Sequence, residues 1–280
     1  MVRSKLLILI WLVPFALVLC GFLLAPLVNM LVQSFRGSDG AFGLEQFQII
    51  FSDAFYLQSI TNSLQISIIS ASIAIIIAAI GGYSITTLAS RGNKYMVMIT
   101  NMTSYFEGIP LAVSFIVLLG NNGLFTLLFS ELGLPIAESF NLYSWVGLII
   151  VYVYFQVPFA IMLLLPTYQA LNNEWRYASN LLGGRSLQYW LKIGLPVLLP
   201  GIFGTYTILL ANSLGAYATA YALVGSTYNL IPLQIGSLIS GDVFLDPNLA
   251  SAFGVILAVI MLGSLWLNEK IMRKVRRDIK

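Results

Sequence analysis

The chain has 280 residues, of which 59% are hydrophobic and only 9% charged, and its mean hydropathy is +0.89. A soluble domain carries nearer a quarter charged residues, so this chain cannot cover itself with polar surface in water and takes lipid as its solvent. The formal charge of +3 is too small to point to nucleic acid. With no histidine and one cysteine, the chain has no histidine base, no ordinary zinc site and no intrachain disulfide.

Six apolar stretches reach the roughly 20 helical residues that a hydrocarbon core requires. They are predicted over Leu6–Val32, Ile60–Leu88, Met96–Leu119, Leu142–Leu165, Leu198–Val224 and Ala250–Leu267. The first follows Arg3 and Lys5, as a signal peptide would, but it is too long for one and no small-x-small site follows it. Leu19 precedes Cys20 where a lipoprotein pattern needs a small residue, so this segment reads as a helix. Phe47–Phe51 and Leu124–Phe129 are too short to cross and read as interfacial segments. The second span carries Asn62, Gln65, Ser67, Ser70 and Ser72. The two amides, one turn apart, either line a pore or bond between helices; the serines suit close helix packing.

The third span contains Glu107, within Tyr105-Phe106-Glu107-Gly108-Ile109-Pro110, the only acidic residue placed inside a span. A carboxylate in hydrocarbon costs several kcal/mol unless it faces a cavity or a partner. Beside Tyr105 and Phe106 it could hold an ammonium group by charge and cation–π attraction; the alternative is a pair with a neighbouring helix or a place at the span's edge. Pro110 is expected to kink this span. In the fifth span, Tyr206, Asn212, Ser213 and Tyr217 raise the same choice between path and packing. Trp11, Trp145 and Trp266, near span ends, read as interface anchors.

Thirteen of the 14 Lys and Arg residues fall on one side of this arrangement, Arg36 alone lying on the other. Short loops rich in Lys and Arg stay inside, which predicts six spans with both termini cytoplasmic. The basic stretch Lys270–Lys280 is expected to lie against anionic lipid.

The loop over Leu171–Pro200 is the most informative. Asn172 or Asn173 can cap a short helix, with Glu174 in the first turn, where the helix dipole favours an anion. Gly183 and Gly184 break that helix, either as a sharp bend or as a plain C-cap. A second helix is predicted from Ser186, with Leu187, Trp190 and Leu191 on one face, closed by Pro196 and Pro200. Two short amphipathic helices joined at glycines form a rigid knob; by shape alone they fit a headgroup-lying helix held by Trp190 and Lys192 equally well.

Ala178-Ser179, then Gly183-Gly184, then Pro196 and Pro200-Gly201 resemble the Glu-Ala-Ala signature of binding-protein-dependent ABC importer permeases. Tyr177 stands where that family has glutamate, and Glu174 lies one turn earlier. Phe42–Phe47 and Asn62-Ser63-Leu64 with Ser67 resemble the family's approach to its second span. Leu119–Gly123 and Leu214–Thr219 resemble the spermidine/putrescine-type branch, although Ala220 stands where a proline commonly follows the threonine.

The resemblance implies an all-α integral membrane protein of the inner membrane, a single permease domain over residues 1–280, with cytoplasmic coupling helices between spans four and five. It implies a second permease (identical or homologous), two cytoplasmic ABC ATPase subunits holding ATP and magnesium, and an external solute-binding protein. Glu174, Tyr177, Ala178, Ser179, Gly183, Gly184, Arg185, Leu187 and Trp190 would form the ATPase-coupling contact. Asn62, Gln65, Tyr105, Phe106, Glu107, Asn212 and Tyr217 are the candidates for the translocation path. The chain has no G-x4-G-K-[S/T] and no Gly-Lys pair, so ATP hydrolysis is expected elsewhere, with no cofactor or metal held here. The favoured solute is a polyamine-like cation; iron(III) and aminophosphonate importers have similar permeases. An ion-coupled secondary transporter could use Glu107 as a proton relay but leaves the knob unexplained.

Overall fold

The structure is a computed structural model describing residues 13–278, apart from 16, 38, 89, 135–139, 226 and 242–244; the side chains of 90, 91, 173 and 274–278 are not described. Arg3, Lys5, Trp11 and the start of the first predicted span lie outside the described residues, as do the side chains of Arg91 and of the basic tail from Lys274. Among the described residues no strand forms, one bridge between Arg36 and Phe42 aside.

The helices in chain order are α1 (Val13–Ser34), α2 (Glu45–Ser52), α3 (Ala54–Thr87), α4 (Ser90–Ser104), α5 (Ile109–Leu119) and α6 (Leu124–Glu131). They continue as α7 (Trp145–Gln169), α8 (Asn173–Leu181), α9 (Ser186–Leu214), α10 (Tyr217–Val224), α11 (Ile231–Ser240) and α12 (Pro247–Asp278). Six stretches are long and apolar enough to cross a membrane: α1, α3, α5 with α6, α7, α9 and Pro247–Arg273 of α12. The all-α architecture with six spans therefore holds.

Two stretches differ from the sequence expectation. The span expected over Met96–Leu119 is two helices, α4 and α5, parted at Tyr105–Gly108. Gly108 takes φ +82°, a conformation that suits glycine, and Pro110 then sits in the first turn of α5, where its missing N–H leaves no helix bond unmade. Pro110 thus follows a full break rather than kinking a continuous span. The stretch expected over Leu198–Val224 begins earlier, at Ser186, and stops at Leu214.

Nor do Pro196 and Pro200 close the second helix of the knob. A five-residue π-turn over Trp190–Gly194 carries it onward, and the Leu195 N–H bonds the Trp190 carbonyl. The same device occurs in α1, where Cys20–Leu24 precedes Pro26. A proline ring crowds the carbonyl four residues before it, and a widened turn relieves that crowding without ending the helix.

The chain divides into two compact units, Met1–Ser59 with Gln234–Val259 and Ile60–Leu233 with Ile260–Lys280. In the first, Ile50 and Phe253 are fully buried, and Tyr56 meets the Phe253 ring edge-on at 5.4 Å. A side chain at Gly254 would press within 2.7 Å of the Met30 sulfur, so glycine there lets α12 lie close to α1. Asp246 caps α12 by accepting from Leu249 N at 2.9 Å.

In the second unit α7 is the central element. Half of its most apolar window is buried, the largest share of any span. At one end Tyr152 and Phe155 pack with Ile66, Leu111 and Leu223; at the other Ala160, Ile161 and Leu164 meet Ala71, Ala74 and Ala78 of α3. Without a hydrophobic force between helices in lipid, such small residues favour association by letting backbones approach. Between the two clusters Gln156 Nε2 donates to Ser70 Oγ at 3.1 Å, so the Ser70 hydroxyl is used in packing.

Gly201 of α9 lies against Thr167 of α7, whose Oγ1 would stand 2.3 Å from an added Cβ, whereas Gly204 has nothing within 4 Å. Gly201→Val is expected to force these helices apart and destabilise the fold by about 1–3 kcal/mol. Gly204→Ala should leave the melting temperature in detergent unchanged or slightly raised. Equal melting temperatures for the wild type and Gly201→Val would contradict this packing.

Candidate functional site

The break between α4 and α5 faces the break between α9 and α10. At the first, the Gly108 N–H donates to Thr219 Oγ1 at 3.0 Å, and the Gly108 carbonyl accepts from Ala112 N to begin α5. At the second, Ala216 has φ −75° and ψ 64°, and Tyr217 N bonds the Gly215 carbonyl at 2.8 Å: an inverse γ-turn. The Tyr152 hydroxyl of α7 donates to the Ala216 carbonyl at 3.2 Å. Both interruptions are thus supplied with partners from the protein, as an apolar surrounding demands.

A cavity of about 300 Å³ opens between them, lined by Glu107, Asn212, Tyr217, Thr219 and the intervening backbone. Asn212 Nδ2 donates to Glu107 Oε2 at 3.4 Å. Tyr217 stacks on Tyr221 with ring centroids 5.4 Å apart and is 40% exposed, so its ring remains accessible at the cavity. A carboxylate, an amide and a phenol ring on one cavity wall can bind a cation bearing N–H donors. Among the described residues no group of three or more His, Cys, Asp or Glu could hold a metal ion.

Of the residues singled out from sequence, Glu107, Asn212 and Tyr217 come together here. Glu107 does not lie inside a helical span, however; it is exposed in the turn before α5, beside the exposed Tyr105 and Phe106. The chain leaves the helix between Ser104 and Ile109, so Glu107 stands in a junction and not on the continuous helix that the sequence implied. Asn62 and Gln65 stand apart from the cavity. Asn62 Nδ2 donates to the Asn229 carbonyl at 3.0 Å, and its neighbour Ser63 accepts from Ile231 N at 2.9 Å, so this turn of α3 holds the entry to α11. Gln65 is exposed. Gly108 and Thr219 belong to quoted sequence motifs but were not singled out as site residues. Glycine two residues before a proline was a signal for the first; the second was marked only by the Leu214–Thr219 resemblance, which does not tell what Thr219 bonds.

The knob follows local rules closely. Asn172 caps α8 by accepting from Glu174 N at 2.9 Å, and its Nδ2 donates to the Glu174 carboxylate at 3.2 Å. At the other end Gly183 N bonds the Asn180 carbonyl and Gly184 N the Ser179 carbonyl, with Gly183 at φ +74°: a Schellman cap. A Cβ on Gly184 would come within 2.9 Å of the Ser179 carbonyl oxygen. One glycine is needed for its dihedral, the other for space. Arg185 N then donates to Gln188 Oε1 at 2.9 Å as the next helix begins.

Apolar side chains project from this bend. Leu181 is 89% and Leu182 88% exposed, with Leu187 and Tyr177 at 69% and 67%. Leu181 and Leu182 were missed in the sequence reading, although two leucines directly before paired glycines in an otherwise polar helix were a legible sign. Ala178 and Ser179 line a groove on the knob with Trp175 and Gln188. Trp190 points another way: its ring meets Tyr83 edge-on at 4.7 Å, and the absence of a side chain on Gly194 makes room for it. It anchors the base of the knob instead of sharing an exposed face with Leu187.

Residues 81–277, which include both breaks and the knob, match the family described as the binding-protein-dependent transport system inner membrane component. The chain is 28% identical over 221 residues to the spermidine/putrescine transport system permease protein PotC homolog of Mycoplasma genitalium, covering 78% of this chain and 71% of that one. It is 24% identical over 248 residues to the spermidine/putrescine transport system permease protein PotB of Haemophilus influenzae, covering 86% and 85%. A crystal structure of a bacterial ABC transporter involved in the import of the acidic polysaccharide alginate contains a chain with the same fold, at a TM-score of 0.77 and 19% identity, with 98% of this chain and 97% of that one covered. The chain therefore belongs to the binding-protein-dependent inner-membrane component family, as a multi-pass permease component of an ABC importer.

Proposed function

We propose that the cavity between the two helix breaks lies on the translocation path and that the solute is a small polyamine-like cation. The observation that carries this reading is the convergence of Glu107, Asn212 and Tyr217 on one cavity wall. The carboxylate supplies charge, the amide orients it, and the tyrosine ring supplies a cation–π face. Relatives named as spermidine/putrescine permeases support the same class of solute. Tyr105 and Phe106, which precede Glu107 in the chain, are exposed.

In this reading the termini and the knob are cytoplasmic, in keeping with the distribution of Lys and Arg. The permease pairs with a second copy or a sister permease and receives solute from an external binding protein. Two ABC ATPase subunits bind ATP and magnesium, because the chain has no phosphate-cradling loop of its own. Leu181, Leu182, Leu187 and Tyr177 are the apolar contact offered to an ATPase subunit, with Glu174 and Arg185 flanking them. Gly183 and Gly184 hold the bend, Ala178 and Ser179 its inner side, and Trp190 fixes the knob to the spans.

Glu107→Gln in the reconstituted transporter is expected to lower polyamine uptake at least about fivefold, with assembly and basal ATPase activity retained. Unchanged uptake would remove the cavity from the path; uptake of an anion in place of a polyamine would overturn the solute class alone. Leu181→Ser with Leu182→Ser is expected to reduce ATPase subunits copurifying with the permease by at least about tenfold, since each buried leucine contributes roughly 1.5–3 kcal/mol. Full copurification would show that the tip of the knob is not the docking surface. Replacing Gly183 and Gly184 by proline should abolish binding-protein-stimulated ATP hydrolysis, because proline cannot take φ +74°.

A further inference from the structure

A second cleft, of about 740 Å³, opens where α3 and α7 end and the knob begins. Its rim carries Lys94 of α4 and Arg176 of α8, both exposed. Neither forms an ion pair among the described residues. Among the described residues no carboxylate lines the cleft. Glu174, the acid nearest Arg176 in sequence, is bonded to Asn172. Asn93 and Gln169 add amide donors to the wall. The Thr86 and Thr87 hydroxyls donate to carbonyls of their own helix at 2.7 and 2.8 Å.

The floor is of different chemistry. Tyr83, Tyr168 and Trp190 form a contiguous aromatic surface, with Tyr83 and Trp190 centroids 4.7 Å apart and Tyr83 and Tyr168 centroids 6.3 Å apart. Val97 and Leu165 continue it with aliphatic surface. Thr87 and Gln169 are the last residues of two apolar spans, so the cleft lies at the level where a bilayer changes from hydrocarbon to headgroup. Two unpaired cations above an aromatic and aliphatic floor, at that depth, match an amphiphile with an anionic head. A free anion would use the rim and leave the floor unexplained.

We propose that this cleft binds an anionic phospholipid, its phosphoryl headgroup held by Lys94 and Arg176 and its glycerol end against Tyr83 and Trp190. The site is independent of which solute crosses. It joins the ends of α3 and α7 to both arms of the knob, so a bound headgroup ties the base of the knob to the spans.

The test uses the complete transporter in nanodiscs containing phosphatidylcholine and phosphatidylglycerol, with retained lipid read by native mass spectrometry. The wild type is expected to retain phosphatidylglycerol over phosphatidylcholine. Lys94→Gln with Arg176→Gln should cut that retention roughly thirtyfold, two interfacial charges being lost. The same spectra report subunit assembly, which separates loss of lipid from loss of fold. Lys94→Arg with Arg176→Lys should keep the lipid, and so should Lys192→Gln, whose charge lies in the other groove. Equal retention by the wild type and the double glutamine variant would overturn the proposal, as would an equal loss in Lys192→Gln. If the wild type holds inorganic phosphate through the same two residues but no phosphatidylglycerol, the lipid assignment fails.

Discussion

A backbone amide that leaves a helix inside an apolar bundle must find another partner, because no water is there to take it. The second unit of this protein is organised around that requirement. Two of its helix junctions, α4 to α5 and α9 to α10, face each other, and each draws on partners the bundle supplies: the Gly108 N–H on Thr219, the Ala216 carbonyl on Tyr152. Thr219 is itself nearly fully buried, so the bond spans a protected interior. Glu107, Asn212 and Tyr217 reach a common cavity because the chain turns there, and the turns persist because their polar groups are paired. A single uninterrupted helix from Ser186 through Val224 would set Asn212 and Tyr217 about 140° apart around its axis, on different faces.

The same helix that ends at this cavity begins at the knob. α9 runs for 29 residues from Ser186 to Leu214, roughly 43 Å at 1.5 Å per residue. Its π-turn lets it pass Pro196 unbroken, so the knob's second arm and Asn212 belong to one rod. In the proposed coupling, a displacement imposed at the knob would have this continuous helix as its route from Leu187 to the cavity wall. The Schellman cap at Gly183, the tight space at Gly184 and the Trp190 contact with Tyr83 keep the knob from absorbing such a displacement locally.

Much of the protein was legible in its sequence where the physics is local. The number of spans follows from length and apolarity, although the third lies over Ile109–Glu131, taking in the Leu124–Phe129 segment read as interfacial, and the Asn172 cap, the Gly183 bend and the start of a helix at Ser186 follow from short-range preferences. Glu107 was marked by its cost in hydrocarbon. Reading Pro196 as a terminus went astray because a proline penalises a regular α-turn, and whether the chain stops or widens depends on what surrounds it. In this chain Trp190 and Gly194 fill that turn against Tyr83. Asn62 and Gln65 looked like a pair because they share a helix face by spacing, yet one holds the Asn229 carbonyl and the other is exposed.

The amino-acid sequence by itself determined the solvent, the helical class and the knob, since each depends on composition or on residues within a few positions of one another. Tertiary structure decided which interruptions face each other, which polar side chains share a cavity, and which aromatic ring anchors the knob instead of being displayed on it. Those outcomes join residues far apart in the chain, as Gly108 and Thr219 or Tyr83 and Trp190 show, and their energies exist only once distant helices meet.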